Sequence, residues 1–207
     1  MTAMMKPLKG VSPEAQERLE LFHALLLKWQ AKINLVSPAT IPEAWARHFA
    51  DSAQVANLMP ISGKTLYDLG SGGGFPGLVT AIIHPEYEVH LVESDAKKCA
   101  FLQTVSRETN SPVIIHNERI EAAVTAAKSP PDFVTARALA PLSELLNYCA
   151  PWIERRLDVT YIFPKGEKNK IELAVSREKW AFDLVETASE TDPRAKILTL
   201  HNVRKAV

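Results

Sequence analysis

The spacing of apolar residues changes near residue 65, and that change divides the chain into two kinds of structure. Upstream, Leu19, Phe22, Leu26, Trp29 and Ile33 recur every three or four positions, the spacing of a helix that buries one face. Ser12, Pro13 and Glu14 precede them as N-cap, first-turn proline and first-turn acid. Thr40-Ile41-Pro42-Glu43 reads as a capping box that opens a second helix, and a third is expected over 51–58. Together these predict a helical extension over 12–58.

Downstream, short apolar runs alternate with helical stretches. Strands are predicted at 65–69, 88–93, 113–117, 133–137 and 159–163, and helices at 76–83, 95–109, 121–128, 141–150 and 167–179. Two closing strands, 181–187 and 196–203, read as antiparallel neighbours. This alternation implies an α/β fold, a mostly parallel sheet with helices on both faces, forming a ligand-binding core over 64–207. Residues 1–207 are expected to make one domain, with only the first ten loosely held.

The most informative stretch joins the first strand to its helix: Thr65 to Gly77 reads TLYDLGSGGGFPG. A strand that breaks into Gly70, Gly72, Gly73, Gly74 and Gly77 and restarts as an apolar helix is a nucleotide-cradling turn. Glycines there let backbone N–H groups approach a ligand with no Cβ in the way. The segment from Gly72 also fits G-x-G-x-x-G, the dinucleotide pattern, which alone is a weak signal. Asp68 discriminates between cofactors. Two residues before the first glycine, its carboxylate is expected to face the crevice, where it would repel a pyrophosphate and suit a ligand with an ammonium and a sulfonium. That points to S-adenosylmethionine. Pro76 agrees, since it lacks the N–H that a phosphate would use.

Other candidates lie at the same sheet edge. Glu93 ends the second strand about 20 positions beyond the glycines, placed to accept from ribose hydroxyls. Ile120 and Glu121 follow the third strand and are expected to flank an adenine, although a plain helix-start Glu fits as well. Arg137 ends the fourth strand between cofactor and acceptor, where an Arg calls for an anionic or carbonyl partner. Asn34, Arg47 and His48, with Asp51 and Ser52, form a polar cluster that leans over the site mouth, the first three being candidate acceptor contacts; local capping by Asn34 and Asp51 and a solvated Arg47 are the equal alternative. Lys165, between Pro164 and Gly166, is a candidate substrate contact or a solvated turn lysine.

Composition adds mainly exclusions. With 46% hydrophobic and 23% charged residues, the chain is ordinary globular protein. Cys99 and Cys149 have no metal-ligand spacing and the six histidines are scattered, so no metal is expected. Nothing in the sequence reads as a bilayer span or a leader, and a cytoplasmic protein is expected. The formal net charge is zero. Residues 1–50 carry six basic and four acidic side chains, 51–150 seven and eleven, 151–207 eleven and nine. Basic flanks around an acidic core are compatible with nucleic acid and support it weakly.

INLVS, RHFADS, YDLGSGGGFPG, VESDAKKCAFL, RIEA, ARALAPL and PKGE follow one another in an order and spacing that resembles the RsmG/GidB family. Its members methylate a guanine at N7 in 16S ribosomal RNA of the small subunit. The resemblance spans roughly 20–200. It implies a class I, Rossmann-like methyltransferase with a seven-stranded sheet and an N-terminal helical extension. It also implies cofactor contacts at Gly70, Phe75, Ile120, Glu121 and Arg137, with Glu93 on the ribose and Gly72 in the turn. Guanine N7 carries an in-plane lone pair and no proton, so no catalytic base is expected and none is assigned. A methyltransferase of small molecules or protein, and a non-enzymatic ribosome-assembly factor, are the alternatives; a nicotinamide dehydrogenase is more remote.

Overall fold

The structure is a computed structural model and describes residues 5–61 and 64–206. Helix α1 (Pro13–Gln30) starts where Ser12 Oγ accepts from the Ala15 N–H at 3.2 Å, and it buries Leu19, Phe22 and Leu26. The capping box at Thr40 is not formed. Pro38–Glu43 makes a tight turn of 3-10 geometry with Pro42 inside it, and the Thr40 hydroxyl donates back to the Ser37 carbonyl instead. Trp45–Ala50 follows as a wide π turn, leading into α2 (Asp51–Ala56). Asp51, considered as a cap, makes no capping bond.

The core alternates as expected: β1 (Thr65–Leu69), α3 (Gly77–Ile83), β2 (Glu88–Val92), α4 (Ala96–Glu108), β3 (Ile114–His116), α5 (Ile120–Ala126) and β4 (Phe133–Thr135). It continues through α6 (Leu142–Tyr148), α7 (Ala150–Ile153), β5 (Thr160–Lys165), α8 (Asn169–Arg177), β6 (Trp180–Ala188) and β7 (Lys196–Lys205). Helix α6 matches the helix expected at 141–150, and α7 is a further short helix beyond it, set off by Pro151, which cannot donate to the preceding turn. Strand β4 stops at Thr135, which leaves Arg137 in the loop beyond it.

The seven strands lie in the order β3-β2-β1-β4-β5-β7-β6. β1 pairs parallel with β2 and β4; β7 is antiparallel to both β5 and β6. β6 therefore runs the same way as the parallel strands, and the 189–195 turn emerges at their C-terminal edge. One apolar cluster joins α1, α3 and α4 to one face of the sheet, and a second joins the helices after β3 to the other.

The extension packs against the glycine turn itself. Phe22 stacks on Phe75 with centroids 5.2 Å apart and meets Phe49 edge-on at 4.9 Å. Residues 5–10, expected to be loose, are held in place. The Lys6 carbonyl accepts from Trp45 Nε1, the Lys9 carbonyl from Asn57 Nδ2, and Gln16 Oε1 from the Leu8 N–H; residues 1–4 lie outside the described residues. Among the described residues no helix is long and apolar enough to cross a membrane.

Phe22→Ala removes a fully buried ring from the joint between extension and core. It should cost about 3–5 kcal/mol in urea denaturation. Fluorescence and far-UV dichroism should still report one shared transition, since the ring serves both parts.

Candidate active site

β1 carries Asp68 to the floor of the glycine turn, and there the expectation from sequence is corrected. The carboxylate does not face the cleft; it is fully buried beneath the turn. One oxygen accepts from the Gly77 N–H at 3.2 Å and the other from Thr135 Oγ1 at 2.8 Å. It thus ties β1 to the start of α3 and to β4. Only glycine fits at Gly77, because a Cβ there would stand 2.6 Å from Asp68 Cβ and from Leu91 Cδ2. Burial pushes the Asp68 carboxyl up to about 6, opposed by its hydrogen bonds with Thr135, Ser71 and Gly77 and by the Arg137 charge.

The turn's upper surface is open. Gly72 has φ +53°, and a Cβ on it would meet nothing closer than the Gly70 carbonyl at 3.7 Å. Its N–H donates to Glu93 Oε2 at 2.9 Å, while Glu93 Oε1 accepts from the Asp95 N–H at 2.8 Å. Glu93 therefore braces the turn from the end of β2, and each oxygen keeps a further lone pair. Ile120 and Glu121 open α5 beyond β3 on the same side. All of these line one cleft of about 1020 Å³, at the upper end of the ~300–1,000 Å³ usual for small-molecule sites.

Across the cleft, the Arg137 guanidinium donates to the Arg47 carbonyl at 3.1 Å and lies 5.1 Å from the centroid of the Phe75 ring. Burial lowers its pKa, countered by the charges of Asp51 and Asp68; an arginine remains a cation here. His48 is buried beside the same ring, with centroids 5.3 Å apart. Thr40 Oγ1 gives its proton to the Ser37 carbonyl, so it accepts from His48 Nε2 at 2.8 Å. Burial, with Arg137 and Arg47 nearby, lowers His48 to about 3 and keeps it neutral. Phe75 sits mostly in the core.

Asn34 and Arg47 are exposed at the rim. Lys165 is not a solvated turn lysine. It is buried, and its ammonium donates to the Ala140 carbonyl at 2.6 Å and meets Glu172 at 2.9 Å. Two of its three protons thus hold the loop after β4.

Asp51, part of the polar cluster expected at the mouth, forms a wall with Ser189, Thr191 and Asp192 from the turn between β6 and β7, and these three are what sequence reasoning missed. Asp51 accepts from the hydroxyls of Ser189 and Thr191. No local signal marks this pairing, because its members are 138 and 140 positions apart.

A glycine turn braced by a strand-end acid, at the C-terminal edge of a seven-stranded sheet with one reversed strand, defines a class I methyltransferase. Solved structures agree on the fold. The ribosomal protein L11 methylase of Lactobacillus delbrueckii subsp. bulgaricus matches with TM-score 0.57 at 15% identity, over 75% of this chain and 78% of that one. An rRNA methylase of Streptococcus thermophilus matches with TM-score 0.53 at 9% identity, over 74% and 94%.

Sequence comparison narrows the class. The sequence model of the GidB family, described as rRNA small subunit methyltransferase G, matches residues 15–197, and the chain belongs to that family. Relatives called ribosomal RNA small subunit methyltransferase G include those of Parvibaculum lavamentivorans and Paramagnetospirillum magneticum. The first is 45% identical over 199 residues, 95% of this chain and 87% of the relative. The second is 46% identical over 196 residues, 95% and 93%.

Because Asp68 holds its proton more tightly folded than unfolded, its charge costs stability above pH 6, and that cost is relieved as pH falls from 6 toward 4. The relief is on the order of 3 kcal/mol. Asp68→Asn keeps an acceptor for Gly77 and a donor for Thr135. Urea denaturation at pH 7.5, 6 and 4.5 should show wild type gaining on this variant by that order as the pH drops.

Proposed function

We propose that this methyltransferase transfers a methyl group from S-adenosylmethionine to N7 of a guanine in 16S ribosomal RNA. The acceptor is the small subunit or an assembly intermediate, in the cytoplasm. The observation that carries the reading is the single cleft, which runs from the open glycine turn to a wall holding Arg47 and Arg137; family membership supports the substrate class. The cofactor fits the residues present, since the turn leaves free the space a Cβ on Gly72 would take.

In this reading the spare lone pairs of Glu93 accept from the ribose hydroxyls, Ile120 packs on the adenine, and Glu121 stands at its edge. Gly70, Gly72 and Phe75 form the surface under the methionine end. The bound cofactor supplies an electrophilic sulfonium methyl. N7 needs no deprotonation, so the protein's work is to hold it in line at about 3–3.5 Å. Arg137, beside both halves of the cleft, donates to guanine O6 or a phosphate, and Asn34, Arg47, His48 and Lys165 line the acceptor side. The extension over 12–58 and the core over 64–207 act as one domain, because the acceptor wall comes from the first and the cofactor cradle from the second.

Labelled methyl groups should pass from S-adenosylmethionine to small subunits lacking the modification and be recovered as 7-methylguanosine. Absence of that nucleoside, with cofactor binding intact, would overturn the acceptor assignment. With no base to titrate and His48 already neutral, kcat should stay level from about pH 6.5 to 8.5; a sigmoid rise there would reveal a base.

Gly72→Val places a branched side chain at positive φ, straining the turn by about 1–2 kcal/mol, and fills the cradle. Calorimetry should find S-adenosylmethionine binding lost in a folded protein. Glu93→Ala should weaken binding by roughly 10- to 100-fold, the range for hydrogen bonds to a charged acceptor.

A further inference from the structure

Asp51 lines the cleft beside the turn between β6 and β7. Its Oδ1 accepts from both Ser189 and Thr191, while its Oδ2 has no hydrogen-bond partner among the described residues. Ser189 Oγ in turn accepts from the N–H groups of Thr191 and Asp192 at 3.2 Å. The carboxylate is thus oriented by a small network that occupies one oxygen and leaves the other. The neighbouring acids of the acceptor half differ. Asp192 is taken by the Arg194 backbone and guanidinium. Glu172 also keeps one oxygen without a bond, but its other oxygen accepts from the buried Lys165 ammonium and the Leu142 N–H, which makes it half of an ion pair within the wall.

The sheet order fixes what this oxygen would face. Adenosine-binding groups lie beyond β1, β2 and β3, so the acceptor base enters over the ends of β4 and β5. Its N7 then points back toward β1. The opposite end of the guanine bicycle carries the N1–H and the exocyclic amine, and it points toward the turn between β6 and β7, where Asp51 lies. A carboxylate accepts from both of these donors, and among the four RNA bases only guanine offers them side by side.

We infer that Asp51 is the specificity-determining residue for guanine, its free carboxylate oxygen reading the N1–H and 2-amino edge while Ser189 and Thr191 hold it in place. The inference rests on the proposed N7 methylation and deepens it. Arg137 and Asp51, whose charges act on each other, then contact different edges of the base.

The test uses small subunits reassembled with the target guanosine replaced by inosine, which keeps N7 and lacks the 2-amino group. Wild type should methylate the guanosine subunit to 7-methylguanosine; failure at that step would refute the proposed function rather than the role of Asp51. Wild type should also prefer guanosine over inosine by roughly 10- to 100-fold in kcat/KM. Asp51→Asn turns an acceptor into a donor at unchanged volume. It should lose about that factor on guanosine, level the two substrates, and bind S-adenosylmethionine as wild type does.

A Ser189→Ala, Thr191→Val double variant breaks the turn contacts and spares the carboxylate. It should narrow the preference for guanosine, because the carboxylate loses its hold. The inference is overturned if wild type does not discriminate, if Asp51→Asn retains the wild-type preference, or if the double variant discriminates as fully as wild type does.

Discussion

One buried carboxylate organises the site. Asp68 has no access to solvent, yet it joins the end of β1 to the first N–H of α3 and to the Thr135 hydroxyl on β4. Burying it is costly, as its raised pKa shows, and three elements converge on it to offset that cost. The result is a turn whose underside is fixed and whose upper surface is left for a ligand. The absence of a side chain at Gly77 brings α3 close enough for this contact to form. Its charge, with that of Asp51, also favours the charged form of Arg137 across the cleft.

Much of this was legible in the chain. The alternation of short apolar runs with helical periods located every strand to within about two residues, because each strand is either buried on both faces or bounded by glycine, proline or acid. The glycine turn and Glu93 were legible for the same reason: their chemistry is local and their spacing is set by one βα unit. Asp68 was found but misoriented. Its position two residues before Gly70 is equally consistent with pointing into the crevice or beneath it, and the choice falls to Thr135, 67 residues away. The Thr40 capping box failed because a nearby carbonyl, at Ser37, took its hydroxyl. Asp51 reads equally as a helix cap and as part of the polar cluster at the mouth, since the partners that decide lie across the molecule.

The extension is more than an appendage to the sheet. Phe22 and Phe49 pack on Phe75 within the glycine segment, and a Cβ on Gly73 would lie 3.2 Å from the Leu35 carbonyl. The segments that carry Asn34, Arg47 and His48 therefore touch the glycine turn. A shift of α1 is felt at both halves of the cleft, with interiors packed too densely to absorb it.

The reversed last strand has a separate consequence. Because β7 lies antiparallel between β5 and β6, the chain returns to the ligand edge as a hairpin tip rather than as a strand-to-helix turn. The glycine turn is locked in by the sheet's central strands, whereas the 189–195 tip is fastened by side chains of the extension, Asp51 to Ser189 and Thr191 and Gln54 to Ala188 and Glu190. The last hairpin therefore works as a clasp: the end of the chain is buttoned to its beginning, and this wall of the cleft forms only when both are folded.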